Sequence, residues 1–225
     1  MGTLVLEAGA QAMRAEPNYL TGRARDRYDG PQLRLVYSPA ANVEMDVEWT
    51  ARVGVRDDPD FGDVSDFGDV VLRAKVRFGD GGGRVVWGAR FGVALPQTSF
   101  GNGLGPNTLL MSADVLLTVP VGAGFLHGNA GLALLDEPLR AHEQRDLLAY
   151  GAALVLPAGP VSAVAEVAGL LGNGAPGADA RHEARGGVRF GYGRWRGDVA
   201  LRRGLGEADG TWGLTAGATL RLPAR

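Results

Sequence analysis

Hydrophobic and polar residues alternate with a period of two through most of this chain, in runs of about ten residues or slightly more. In the clearest run, Val43, Met45, Val47, Trp49, Ala51, Val53 and Val55 fall on one face, and Glu44, Asp46, Glu48, Thr50, Arg52 and Gly54 on the other. In the next, Val70, Leu72, Ala74, Val76 and Phe78 oppose Asp69, Val71, Arg73, Lys75 and Arg77. The alternation predicts about twelve strands, near 3–13, 31–38, 43–56, 67–78, 84–96, 108–119, 125–135, 145–156, 161–171, 182–192, 195–204 and 211–222. No helical period persists for more than a turn or two. Residues 147–165 carry no charge and could span a membrane as a helix on hydropathy alone, but Pro157-Ala158-Gly159-Pro160 breaks them into two strands and a turn.

The connections alternate in length. Short turns at Pro39-Ala40-Ala41-Asn42, Gly79-Asp80-Gly81-Gly82-Gly83, Val121-Gly122-Ala123-Gly124, Pro157-Ala158-Gly159-Pro160 and Gly193-Arg194 lie at one end. Longer polar connections, 14–30, 57–66, 97–107, 136–144, 172–181 and 205–210, lie at the other. This is the arrangement of an up-and-down meander. No charged segment followed by an apolar run opens the chain, so a signal peptide is absent or has been removed.

One face of the meander is oily and the other ionic. No charge falls on the oily face within a strand until Arg203. A soluble sandwich would alternate similarly, but its strands are about five or six residues long. These have the length a tilted strand needs to cross a bilayer. A soluble barrel of this size would also have to fill its interior, and the oily face offers mainly Leu, Val and Ala. Tyr37, Phe78, Phe125, Tyr192 and Trp195 sit beside the short turns, where an interfacial girdle is expected. The expected fold is all-β: a single domain over 1–225, an antiparallel up-and-down transmembrane β-barrel with short periplasmic turns and longer extracellular loops, in the bacterial outer membrane.

Composition fits this and removes other chemistry. With 23 Lys+Arg against 25 Asp+Glu there is no basic excess for nucleic acid, and no cysteine is available for disulfides, thiolate metal sites or thiol catalysis. The three histidines, His127, His142 and His182, have no metal-ligand spacing, so no metal or cofactor is expected. The 36 glycines fall into two groups, those of the tight turns and those on the polar face, where they make room beside long side chains.

The polar face is therefore the candidate site. Arg34, Glu44, Asp46, Glu48, Arg52, Arg73, Lys75, Arg77, Arg90, Asp114, His127, Asn129, Glu166, Arg185, Arg189 and Asp198 are expected to line the lumen. Gly193-Arg194 as a two-residue turn pairs Tyr192 with Trp195 and Arg189 with Asp198. The Pro39 turn brings Arg34 opposite Asp46, and strands three and four bring Asp46 opposite Arg77 and Glu48 opposite Lys75. Leu147, Ala149, Gly151, Ala153 and Val155, with Val164 and Ala168, add an apolar strip. His127 and Asn129, with Ser112 on the facing strand, raise a Ser/His hydrolase as an alternative, but no nucleophile elbow is present. The acidic run Asp57-Asp58-Pro59-Asp60-Phe61-Gly62-Asp63 lacks an EF-hand glutamate and reads as a solvated loop rather than a calcium site. Residues 100–107, though Gly-rich, lack the Lys-Ser/Thr of a phosphate loop.

Phe67-Gly68-Asp69 leading to Arg73-Ala74-Lys75, Gly92-Val93-Ala94-Leu95-Pro96-Gln97-Thr98, Leu126-His127-Gly128-Asn129-Ala130-Gly131, Tyr150-Gly151, Val164-Ala165-Glu166-Val167-Ala168-Gly169 and Trp212-Gly213-Leu214-Thr215-Ala216-Gly217-Ala218 together resemble the outer-membrane barrel family named for the meta-pathway of phenol degradation. The resemblance covers residues 67–222 and implies a channel for hydrophobic or aromatic small molecules, with no catalytic residue to carry over. The expected protein is a monomer in the lipid bilayer that passes small solutes passively and is not an enzyme. A lipid hydrolase and a structural or adhesion barrel with a plugged lumen are the alternatives.

Overall fold

In a computed structural model the described residues are 2–18, 20–78, 85–136, 144–172, 180–206 and 209–222. They form a single antiparallel sheet of β1 (Thr3–Pro17), β2 (Ala24–Ala40), β3 (Val43–Thr50), β4 (Val53–Asp58), β5 (Gly62–Asp66), β6 (Val70–Phe78), β7 (Val86–Leu95), β8 (Leu110–Val121), β9 (Gly124–Asp136), β10 (Gln144–Ala158), β11 (Val161–Leu171), β12 (Arg181–Tyr192), β13 (Trp195–Gly204) and β14 (Trp212–Leu222). β1 pairs with β14 on one side and β2 on the other, which closes the sheet. β3 and β4 run end to end along β2, and β5 and β6 run end to end beside them in one register, so fourteen segments make twelve staves. The expected strand number and meander hold. The expected turn at Gly79–Gly83 lies outside the described residues.

The barrel is inside-out relative to a soluble protein. Leu33, Leu35, Met45, Val47, Leu72, Phe91, Met111, Val115, Leu132 and Leu201 are among its many exposed large apolar residues, and they share the outward face with their cross-strand neighbours. A continuous apolar belt of this extent has only lipid as a fitting solvent. At the periplasmic end, where the turns are short, the belt is edged by Tyr37, Phe78, Trp87, Tyr192 and Trp195; the Phe78 and Trp87 rings lie 4.5 Å apart. Phe125 does not join that edge. It shares its face with His127, over which its ring stacks at 6.3 Å, because residues two apart on a strand point the same way.

The extracellular end departs from the sequence reading. The connection expected at 14–30 is mostly strand, since β1 continues to Pro17 and β2 starts at Ala24. The one expected at 57–66 is a hairpin whose turn is closed by Asp58 opposite Gly62. This tight turn slides β6 along β3, so Asp46 faces Arg73 rather than Arg77, and Lys75 faces Glu44 rather than Glu48. Arg34 likewise lies opposite Glu48, not Asp46.

Between the body and the mouth, the inward and outward faces exchange. In β2, Arg34 points inward, yet beyond Gly30 the inward residues are Asp29, Arg27 and Arg25. In the neighbouring stave Asp46 and Thr50 are buried, and beyond Ala51-Arg52 the buried residues are Val53 and Val55. A shift of one residue reverses every side chain that follows. Gly30 is required at this crossing, because a Cβ there would lie 2.8 Å from that of Ala10.

Candidate functional site

The lumen is built in three tiers. In the periplasmic half, staves from β1, β2, β3 and β6 carry a continuous ionic ladder. Arg34 forks onto Asp46, Nε to Oδ1 at 2.9 Å and Nη2 to Oδ2 at 3.0 Å, and donates through Nη1 to Glu7 at 3.1 Å. Arg73 donates from Nη1 to both Asp46 and Glu48 at 2.9 Å. Lys75 meets Glu44 at 2.5 Å. Every carboxylate in this wall has a cationic partner, and Asp46, held by two arginines, is buried behind them. Arg90 on β7 pairs with Asp114 on β8 at 3.0 Å.

The facing wall, β9 to β11, is close to neutral. Thr118 and His127 share a hydrogen bond of 2.9 Å through Nδ1 of the imidazole. Asn129 lies against Gly151, where a Cβ would come within 2.5 Å of its side-chain oxygen. Glu166 faces Arg185 across β11 and β12. Ala153, Gly151, Thr118, His127, Asn129 and Lys75 share one cavity of about 430 Å³.

Above this, a circuit of polar contacts crosses the lumen. Glu183 takes Arg185 and Arg202; Arg202 donates to Gln11 at 2.6 Å, and Gln11 to Asp29 at 2.8 Å. Asp29 accepts from Arg27 at 2.9 Å, and Glu16 lies 3.4 Å from both Arg27 and Arg181. The chain of contacts therefore leaves β12 at Glu183, passes through β13, β1 and β2, and returns to β12 at Arg181.

The third tier is the mouth, where residues 97–108 fold inward as a strap. Asp69 accepts from the backbone N–H groups of Gln97 at 2.8 Å and Thr98 at 3.1 Å, anchoring one end. Arg25 donates to the carbonyls of Asn102 and Gly103, and Arg27 to that of Leu104 at 3.2 Å. Leu104 is 1% exposed and packs on Val53, Val55 and Val64. Only the exchange of faces described above turns those valines inward to receive it. Gly103 has φ +69°, and a Cβ there would sit 2.3 Å from Asn18. The Gly-rich stretch thus serves close packing in the mouth.

Arg25 and Asp58, 1% and 0% exposed in their side chains and 2.9 Å apart, clamp the strap's seat. Burial alone would raise the Asp58 carboxyl. The N–H groups of Asp60 and Phe61, the Asn18 amide at 2.8 Å and Arg25 outweigh that and hold it below its usual range. Asp60 meets Arg23 at 2.9 Å, and Asp63 accepts from the N–H of Asp57, so the acidic run is engaged with the protein itself. Beneath the strap a cavity of about 240 Å³ is lined by Leu104, Pro106, Leu110, Leu135, Leu147 and Leu170, with Arg25, Arg27 and Arg181 at its edge.

Of the residues expected in the lumen, Arg34, Glu44, Asp46, Glu48, Arg73, Lys75, Arg77, Arg90, Asp114, His127, Asn129, Glu166, Arg185, Arg189 and Asp198 face the interior. Arg52 does not. It is exposed beyond the exchange of faces and donates outward to Ser65. Sequence reasoning missed Arg25, Arg27, Glu16 and Asp58, because they fall where 14–30 and 57–66 read as loops. Their signal was the spacing Arg25, Arg27, Asp29, itself an alternating strand pattern.

No family model matches the sequence, and no sequence relative is found among curated proteins. Solved structures do match in fold. An outer membrane channel from Pseudomonas putida F1 superposes with a TM-score of 0.70 at 15% identity, over 99% of this chain and 96% of that one. The translocator domain of the autotransporter NalP from Neisseria meningitidis gives 0.58 at 13% identity, over 98% and 88%. The beta domain of the Bordetella autotransporter BrkA gives 0.50 at 14%, over 97% and 98%. The architecture is that of an outer-membrane β-barrel.

Proposed function

We propose that this barrel is a monomeric channel through which small solutes, hydrophobic or aromatic in part, cross the outer membrane passively. The observation that carries the reading is the leucine-lined pocket under the strap, at the mouth of a lumen with one ionic wall and one nearly neutral wall. An apolar body sheds its water against Leu110, Leu135, Leu147 and Leu170, while the backbone carbonyls and arginines around it keep the passage wet. Below, the wall charges set which ions accompany or replace the solute, with Asp46, Glu48, Arg73, Lys75, Arg77, Arg90 and Glu166 in that role. The resemblance to the meta-pathway family, and the channel from Pseudomonas putida among barrels of this shape, support the same reading.

A hydrolase is less well supported. Ser112 lies opposite Ala133, six residues along β9 from His127, or about 20 Å at strand spacing. Thr118 is the hydroxyl at the imidazole. Planar-bilayer recording tests the proposal: refolded protein gives discrete current steps, and replacing residues 100–106 with a short Gly/Ser linker enlarges them several-fold. Absence of current from both proteins would sink it and favour a plugged structural barrel.

A further inference from the structure

We infer that the permeant is an organic anion, an apolar body bearing a carboxylate or phosphate, received at the periplasmic end by an arginine wall that lies apart from the paired ladder. The inference rests on the channel reading and deepens it. Arg189, Arg194, Arg196 and Arg221 come together there on β12 to β14. Arg189 lies opposite Asp198, Arg196 opposite Thr219, and the N–H of Arg221 donates to the carbonyl of Arg194 at 3.0 Å. All four line one cavity of about 530 Å³.

Among the described residues, none of these four arginines forms a salt bridge, in contrast to Arg34, which lines the same cavity. Glu7, Glu44 and Glu48 also border the cavity, but they are engaged by Arg34, Lys75 and Arg73. Among the described residues that leaves Asp198 as the single carboxylate on the arginine wall. Guanidinium groups cannot shed their charge at any working pH, so the wall holds a permanent positive field. Crowded cations facing a lumen raise the local concentration of anions, and each fork can take two oxygens of a carboxylate or phosphate. The hydroxyls of Thr215 and Thr219 add donors on the same wall. The leucine pocket at the mouth and the arginines below thus select for the two ends of one amphiphilic anion.

Reversal potentials and currents in planar bilayers test this, with benzoate, phenyl phosphate, benzylammonium and chloride as the mobile ions. The wild-type channel is expected to favour anions about threefold or more. Benzoate or phenyl phosphate should carry or block current at lower concentration than benzylammonium, and whichever acts at the lower concentration identifies the preferred oxyanion. The triple variant Arg189→Ser, Arg196→Ser, Arg221→Ser should lose the preference, and the Arg→Lys triple, which keeps the charge, should retain it. Equal permeation of both signs in the wild type, or a preference unchanged in the Ser triple, would overturn the anion assignment while leaving the channel standing. Silence in every electrolyte would remove the channel, and the inference with it.

Discussion

The body of the barrel and its extracellular mouth obey the same alternation in opposite phase. In the body, Met45 and Val47 meet lipid while Glu44, Asp46 and Glu48 meet the lumen. Past Ala51-Arg52, apolar Val53 and Val55 turn inward and Arg52 turns out. The body therefore has an interior walled by part-buried ion pairs that share partners, whereas the mouth has a small apolar core and a fully buried pair. One residue of slip in adjacent staves is enough to change an ionic wall into the seat of an apolar strap.

The largest effect expected follows from removing one half of the buried pair. Arg25→Met leaves the Asp58 carboxylate buried without its cation and deletes the donors to Asn102 and Gly103, at a local cost of about 3–5 kcal/mol. The strap should be released, read as new protease cleavage within 97–108 and larger single-channel steps. The comparable change in the body, Arg73→Met, leaves the Arg34 fork on the buried Asp46 and removes only part-buried contacts, so it should cost less, about 1–2 kcal/mol. If both variants behave alike, the contrast between mouth and body is wrong.

Next comes Leu104→Ala, which removes most of a fully buried side chain from Val53, Val55 and Val64 and should weaken the strap by about 2–4 kcal/mol. Hydrogen exchange at residues 98–106 measures it. Leu201→Ala, on the lipid face, leaves no such cavity and should leave strap exchange unchanged.

Acid should loosen the mouth as well. Because the seated Asp58 carboxyl titrates below its ordinary value near 3.9, its contribution is complete above that value and is lost as pH falls through the depressed one. Strap protection should hold from pH 7 to about pH 4 and fail below it. Asp58→Asn should flatten this acid limb, and a limb that persists in the variant would place the titrating group elsewhere.

The body was legible in the sequence because period-two alternation over ten residues is its own evidence, and a face buried in lipid tolerates no charge. The twelve staves, the Tyr192–Trp195 pair and the inward set from Arg34 to Asp198, Arg52 excepted, follow from it. Registers were less legible. They depend on where a hairpin turns, and Asp58 opposite Gly62 moved Arg73, not Arg77, beside Asp46. The mouth was least legible, since its pattern breaks at Gly30 and Ala51-Arg52 and its polar residues resemble loop. Leu104 reads as one apolar residue in a Gly-rich run until the barrel supplies the valines that bury it.

The smallest energetic effect gives the sharpest test of the exchange of faces. The chain has no cysteine, so single cysteines report accessibility without background. In the body, Glu48→Cys should react with a water-soluble thiol reagent through the lumen, and Val47→Cys, facing lipid, should not. Beyond the exchange, Arg52→Cys should react from the extracellular side, and Val53→Cys, 3% exposed against Leu104, should stay protected from water-soluble and membrane-partitioning thiol reagents alike. Among the described residues the exposed Arg52 side chain donates to Ser65 at the surface, so its loss should change stability by less than about 0.5 kcal/mol. Its reactivity can therefore be read without disturbing the barrel. Labelling of Val53→Cys by a membrane-partitioning maleimide would restore an unbroken alternation from 43 to 55, return Val53 and Val55 to the lipid, and leave the strap without its seat.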